Sequence, residues 1–304
     1  MKILVTGGAG FIGSNVVDAY IERGHRVWVL DNEFSGKRHQ VNKKAVYVRK
    51  NITDHKALEA LFKKIKFDVV NHHAAQIDVR RSVVDPEFDA RVNILGLLNV
   101  LVHAQKNGVK KILFASSGGT VYGECARPAT ESFPEVPLSP YGVAKLASEK
   151  YIQAFSALHG LKYTIFRYSN VYGPRQDPHG EAGVVAIFAQ HLLAGERVTI
   201  FGKGAQTRDF VFVGDVARAN VLGLTKATNQ ILNIGTATEI SVNTLYKTMA
   251  TLTKATQSPV RKPARAGELA RSVLSYAKAQ RVLGWAPRVS MSDGLLQTIR
   301  FFQK

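Results

Sequence analysis

Tyr141 and Lys145 are the residues of this chain whose types and spacing best suit proton chemistry. Ser139-Pro140 just ahead of them reads as a helix start: serine caps free N–H groups and proline fits the first turn. Residues four apart on that helix share a face, so the phenol and the ammonium stand together. A free tyrosine has a pKa near ~10 and is a poor base at neutral pH. A neighbouring lysine cation favours the phenolate. The phenol is therefore expected below its ordinary value, poised to take a proton from a sugar or alcohol hydroxyl. A plain solvated helix can also carry Tyr-x-x-x-Lys, so the motif takes its weight from its context.

The first part of that context is the N-terminus. Lys2-Ile3-Leu4-Val5-Thr6 is a short apolar run of β-formers, which predicts a buried strand. Gly7-Gly8-Ala9-Gly10-Phe11-Ile12-Gly13 follows at once, residues 14–23 show helical spacing, and Gly24 stops that helix. A second strand over 27–30 closes on Asp31. Strand, glycine turn, helix, strand and acid together make a dinucleotide cradle. The glycines let backbone approach a pyrophosphate, whose charge sits on the helix N-terminus. Asp31 stands 18 residues after Gly13, near the separation for holding a ribose 2′-hydroxyl. A carboxylate there repels a 2′-phosphate, which favours NAD over NADP.

The alternation continues down the chain. Strands are expected over 45–49, 68–73, 111–115 and 164–167, and helices over 53–64, 88–107 and 141–159. Repeated β-α-β units predict an α/β, Rossmann-type doubly wound parallel sheet of about seven strands. Ligands of such sheets bind beyond the strands' carboxyl ends. The turn-rich run Tyr172-Gly173-Pro174-Arg175-Gln176-Asp177-Pro178-His179-Gly180 marks a boundary. The expected division is an NAD-binding domain over 1–170 and a smaller α/β substrate domain over 171–304, with a segment near 209–236 returning to the first. In the second part helices are expected over 181–195, near Asp215, and over 242–252, 277–283 and 291–302. Strands are expected over 198–201, 208–213 and 231–234. His72-His73 invites a metal, but no carboxylate or third histidine stands at ligand spacing, so none is expected.

The 304 residues can bury a large core. A single cysteine, Cys125, rules out a disulfide framework within the chain and suits a reducing cytoplasm. No apolar run approaches the roughly 18 residues of a membrane span. Glycines at 7, 8, 10 and 13 break what would be the apolar core of a signal peptide. The formal charge is +18. It admits either a nucleic-acid partner or a basic-surfaced enzyme with a phosphorylated substrate. The basic residues come as scattered pairs and triplets such as Arg80-Arg81 and Arg261-Lys262, with no long basic arm, and this favours the enzyme.

The motifs taken together resemble a family. Thr6-Gly7-Gly8-Ala9-Gly10-Phe11-Ile12-Gly13, Ser116-Ser117, Tyr141-x-x-x-Lys145, the run from Arg167-Tyr168-Ser169-Asn170 through Gly173-Pro174-Arg175, and Arg208-Asp209-Phe210 resemble the extended short-chain dehydrogenase/reductases. Within these the chain is most similar to the UDP-glucose (UDP-galactose) 4-epimerases, over essentially its whole length. The resemblance implies an NAD that stays bound through turnover. Tyr141 would take the proton from the sugar 4-hydroxyl while C4 passes hydride to the nicotinamide. The 4-keto sugar would then turn over and receive hydride on its other face. Lys145 would bind the nicotinamide ribose and stabilise the phenolate. The other positions implied for the cofactor are Gly7, Gly10, Phe11, Ile12, Gly13, Asp31, Asn32, Ser35, Gly36, Asn51, Ile52, His73, Ala74, Ala75, Ser116 and Tyr168. For the UDP-hexose, the resemblance places Asn170, Gly183 and Val184 near diphosphate and sugar, and Phe201 by the uracil, with Thr199 a further contact. Arg208 and Arg265 would hold phosphate oxygens, and Glu268 the uridine ribose. Ser272 falls where side-chain size limits the substrate, so N-acetylated UDP-sugars are expected to fit.

The chain departs from the family at Gly118, where a Ser or Thr usually bonds to the sugar O4. Ser117 is expected to supply that hydroxyl, with Thr120 second. Gly119-Thr120 lacks the Asp-Glu pair of the related 4,6-dehydratases and the glutamate of the decarboxylases. A UDP-glucuronate 4-epimerase or another NAD-dependent nucleotide-sugar oxidoreductase is the alternative activity, and a non-catalytic NAD-binding protein the alternative class. The family's habit of pairing two helices per subunit implies a homodimer, with Leu95, Leu98 and Leu101 on one of those helices.

Overall fold

The computed structural model describes residues 1–179, 183–265 and 267–303. Seven strands form one sheet: β1 (Lys2–Thr6), β2 (Arg26–Asp31), β3 (Val46–Arg49), β4 (Val69–His72), β5 (Lys111–Ser117), β6 (Lys162–Tyr168) and the strand Gln230–Ile234. Their order is Gln230–Ile234, β6, β5, β4, β1, β2, β3, and every pairing is parallel. The winding direction reverses between β1 and β4, which opens a crevice at their carboxyl ends. Alternate residues of each strand enter cores on opposite faces: Ile3 and Val5 join Val16, Val29 and Leu232, while Leu4 joins Leu30, Val70 and Phe114.

A third core gathers Tyr172, Phe188, Ile200, Phe212, Met249 and Ile299. Small sheets flank it, in which Asn170–Tyr172 pairs with Phe210–Phe212 and Thr199–Phe201 with Val260–Lys262. Thr207–Arg208 lies between Ile240–Ser241 and Arg271–Ser272. No described helix is long and apolar enough to cross a membrane.

Three expected elements differ from what forms. The segment 208–213 is two strands in different sheets, because the buried Asp209 between them turns away. Its carboxylate accepts from the N–H groups of Thr236, Ala237 and Leu274 and from the Thr236 hydroxyl. The helix expected over 88–107 starts at Pro86 and is broken by a π-turn, Arg91–Leu95, between Pro86–Ala90 and Gly96–Lys106. The helix expected over 181–195 is Val184–Leu193; residues 181 and 182 lie outside the described set.

Arg167 on β6 is fully buried and holds the end of the sheet together. Its Nε donates to Glu149 Oε1 at 3.0 Å and its Nη2 to Glu149 Oε2 at 2.6 Å, while Nη2 also meets Glu135 and Nη1 donates to the Tyr122 hydroxyl at 2.9 Å. The Tyr122 hydroxyl in turn donates to Asn233 Oδ1 at 2.9 Å. A buried guanidinium stripped of its main partner is strongly destabilising. Glu149→Ala is therefore expected to lower unfolding free energy by about 3–5 kcal/mol in a denaturant titration; a loss below about 1 kcal/mol would show that the cluster holds little.

Candidate active site

The helix Pro140–His159 carries the Tyr141–Lys145 pair. Ser139 Oγ caps it by accepting from Gly142 N–H at 3.1 Å, and Tyr141 N–H donates to Ser82 Oγ at 3.1 Å. Lys145 is buried. Its Nζ donates to Ala115 carbonyl at 2.8 Å, 4.9 Å from the Phe114 ring centre and 5.6 Å from that of Tyr141. The expected direction for the phenol is reversed in the chain alone. Burial, with Asp89 nearby, pushes Tyr141 well above its ordinary value. Desolvation outweighs any help from the lysine, which burial itself pushes down to about 8 against the opposing carboxylates of Asp89 and Glu149. A lysine depressed in the fold costs stability below about pH 8, and that cost falls as the pH rises toward the ordinary lysine value.

The glycine turn follows β1. Gly7 has φ +69°, and a Cβ there would lie 2.5 Å from Ala74 N; one at Gly13 would lie 2.2 Å from Gly7 carbonyl oxygen. The helix Phe11–Glu22 has Gly10 at its N-cap and no side-chain cap, which leaves its first N–H groups to an anion. Asp31 ends β2 against this turn. Its Oδ2 accepts from Ala9 N–H at 3.0 Å and its Oδ1 from Glu33 N–H at 2.8 Å, and a side chain at Gly36 would run into it. Burial raises the Asp31 carboxyl. A tight cradle, an uncapped helix and an acid at its rim fit a dinucleotide. Asn32, Ser35, Gly36, Asn51 and Ile52 occupy the loops after β2 and β3 on the same edge.

His73, Ala74 and Ala75 follow β4, with His73 N–H on Thr6 carbonyl at 3.0 Å and Ala74 N–H on Thr6 Oγ1 at 3.3 Å. His73 stacks on Tyr168 at 6.4 Å, and burial holds His72 and His73 neutral, each near 3. The Tyr168 hydroxyl accepts from Asn220 Nδ2 at 2.8 Å. Ser116 is buried and donates to Glu149 Oε1 at 2.5 Å. Ser117 stands half-exposed as N-cap of the short helix Gly118–Val121. The departure at Gly118 has a packing cause: a Cβ there would lie 2.5 Å from Leu274 Cδ1, in the buried cluster of Leu274, Tyr122, Cys125 and Ala129. Thr120 Oγ1 is buried with no hydrogen-bond partner.

The residues expected around UDP divide into two connected groups. Phe201, Arg265 and Glu268 line one cavity of about 220 Å³, with Arg265 stacked 3.7 Å over the Phe201 ring. Arg208 reaches that cavity through its ion pair with Glu268 at 3.5 Å, and Ser272 is its register partner on the adjacent strand. Ser272 Oγ lies 3.7 Å from where a Gly119 Cβ would stand, which brings this strand beside the Ser117 loop. Asn170 begins its strand with N–H on Asp209 carbonyl at 2.9 Å; Gly183 and Val184 start the next helix, and Thr199 lies on the strand of Phe201.

Sequence reasoning passed over Glu149, Asp89, Gln76, Asn93 and Leu274. Glu149 was within reach, since it extends the four-residue spacing of Tyr141 and Lys145 by one more turn. The others depend on chain segments that meet only after folding. Among the described residues no three His, Cys, Asp or Glu side chains could hold a metal ion together.

Known proteins place this architecture. The chain is 44% identical to a UDP-glucose 4-epimerase of Mycolicibacterium smegmatis, with 100% of this chain and 99% of the relative covered. Its structure matches that of a Thermotoga maritima UDP-glucose 4-epimerase with UDP-glucose, with a TM-score of 0.98 and 48% identity, covering 100% and 99% of the two chains. It also matches a Thermus thermophilus UDP-glucose 4-epimerase complexed with NAD, with a TM-score of 0.95 and 43% identity at the same coverage. The pattern of the NAD dependent epimerase/dehydratase family matches residues 3–235, and the chain belongs to that family.

Proposed function

We propose that this protein interconverts UDP-glucose and UDP-galactose at C4, using a tightly held NAD. The observation that carries the reading is the shared face of half-buried Tyr141 and buried Lys145 at the carboxyl end of the sheet, beside a glycine cradle built for a dinucleotide. Full-length similarity to UDP-glucose 4-epimerases supports it. Bound NAD supplies reversible hydride exchange at C4. Gly7, Gly10, Phe11, Ile12 and Gly13 would hold its pyrophosphate, Asp31 its ribose diol, and Lys145 the ribose nearest the sugar. Tyr141 takes the proton from O4 as that carbon becomes a ketone, and returns it when the alcohol re-forms. Because burial disfavours the free phenolate, the base must be generated in the assembled site, with the Lys145 ammonium 5.6 Å from its ring centre. The short helix at Gly118 brings no carboxylate to the sugar, which suits epimerisation without loss of water or carbon dioxide.

Residues after 170 form the sugar-nucleotide side in this reading. Phe201 would sit by the uracil, with Glu268 on the ribose and Arg208 and Arg265 on phosphate oxygens; the stacking of Arg265 on Phe201 and the Arg208–Glu268 ion pair, which gather these four residues, support it. Ser117 orients O4. Ser272, small and beside Gly119, leaves room for an N-acetyl group. Two copies pair through the helices ending at Lys106 and His159: Leu101 is core and Leu98 half-buried, but Leu95 is 58% exposed, and Val143, 52% exposed, lines an apolar groove of about 520 Å³. The single cysteine, Cys125, suits a cytoplasmic enzyme.

Incubation of the purified protein with UDP-sugars, without added NAD, is expected to interconvert the glucose and galactose forms and, more slowly, the N-acetylated pair. Product analysis showing no C4 inversion would end the reading, and inversion of UDP-glucuronate alone would favour the alternative. Tyr141→Phe is expected to cut kcat by at least about a hundredfold, from the usual worth of a positioned base. Ser117→Ala should lower kcat more than Thr120→Val does; full turnover in Ser117→Ala would move the O4 contact elsewhere. Leu95→Asp is expected to give monomers in sedimentation velocity, and an unchanged sedimentation coefficient would remove that face from the interface.

A further inference from the structure

The buried carboxylate of Asp89 has no part in the scheme above. It is 1% exposed, on the short helix Pro86–Ala90. Its Oδ1 accepts from Gln76 Nε2 at 2.9 Å and from Asn93 Nδ2 at 2.9 Å. Main-chain partners fix both amides. Asn93 Oδ1 accepts from Gln76 N–H at 2.9 Å, and its Nδ2 also donates to Gln76 carbonyl at 3.0 Å. Gln76 Oε1 accepts from Asp78 N–H at 2.6 Å, and its Nε2 also donates to Asp78 carbonyl at 2.8 Å. Flipping either amide would break these bonds, so two donors are aimed at one carboxyl oxygen; burial raises this carboxyl, while the two amides and the Lys145 cation favour its ionised form.

Asn93 sits in the π-turn Arg91–Leu95, a distortion often found at functional sites. Ser148, on the helix of Tyr141 and Lys145, shares its one hydroxyl proton between Ala144 carbonyl at 2.7 Å and Asn93 carbonyl at 3.1 Å, which brings that turn against the helix. Asp89 lines one groove with Ser139, Pro140, Val143 and Ala144, which flank Tyr141 and precede Lys145. Among the described residues no lysine or arginine forms a salt bridge with it. A buried carboxylate without a salt bridge is costly, so its charge calls for a role.

We propose that Asp89 is a positioning residue whose negative charge, set behind the helix, keeps Lys145 protonated and Tyr141 neutral in the resting enzyme. This rests on reading Tyr141 as the base. Glu149 on the same helix also raises Lys145 and is paired with Arg167, and His72 and His73 at the end of β4 are neutral; the elements packed against the helix further carry Arg80, Arg81, Glu87 and Arg91. Phe114 and Ala115 from β5 bring no charge. Asp89 acts on both members of the pair, raising each.

Asp89→Asn keeps an oxygen for Gln76 and Asn93 while removing the charge. Losing a nearby negative charge eases proton loss from both groups. In the NAD-loaded enzyme the acidic limb of kcat/KM, set by Tyr141, and the alkaline limb, set by Lys145, are both expected to move to lower pH, by about half a unit or more. Tyrosinate absorbance, with the Tyr141→Phe signal subtracted, should shift the same way and needs no turnover. Ser148→Ala loosens the same π-turn without changing charge; it is expected to lower Tm while leaving both limbs in place. Limbs and tyrosinate titration that coincide with wild type in Asp89→Asn, or that move equally in Ser148→Ala, would overturn the proposal. If Tyr141→Phe kept full turnover, the base assignment would fall, and the absorbance comparison would still decide whether Asp89 sets the charge of Tyr141.

Discussion

A guanidinium with no access to water must find all its partners inside the protein, and Arg167 imposes that requirement on the whole carboxyl edge of the sheet. Glu149 comes from the helix Pro140–His159, Glu135 and Tyr122 from the segments before it, and Asn233 joins through Tyr122 from the returning strand. Glu149 also receives the Ser116 hydroxyl. One buried charge thereby sets the distance between the end of β5 and the helix carrying Tyr141 and Lys145. The placement of Tyr141 and Lys145 follows from a neighbour further along the same helix.

Desolvation dominates the electrostatics of the site. Tyr141 and Lys145 share a face, yet burial moves the phenol up and the ammonium down, each toward its neutral form. Two carboxylates oppose this on the lysine side, Glu149 along the same helix and Asp89 from the broken helix opposite. The result is a low-dielectric pocket in which small changes of charge are felt strongly. Asp31 follows the same pattern: burial raises it, while two backbone N–H groups aimed at its oxygens favour the ionised form.

Reciprocal packing shapes the rest of the site. Leu274 fills the space a side chain at Gly118 would need, so the missing hydroxyl is the counterpart of a larger neighbour from a segment 156 positions away. Asp209 has a comparable effect between two short strands. By gathering donors from Thr236, Ala237 and Leu274, it sends Arg208 into one sheet and Phe210 into another. Arg208 is thereby directed toward Glu268, and Ser272 brought alongside it.

Local chemistry wrote much of this protein into its sequence. Apolar runs, the glycine turn and helix caps such as Ser139 act over a few residues, so the alternating elements, the dinucleotide cradle and the Tyr141–Lys145 spacing could be read directly. The π-turn, the split around Asp209, the conflict between Gly118 and Leu274 and the amide-held Asp89 could not, because each joins segments distant in sequence. The direction of the Tyr141 shift belongs with them. Spacing shows that a lysine is near, but solvent exclusion depends on how the whole chain packs, and only the folded structure determines which effect prevails.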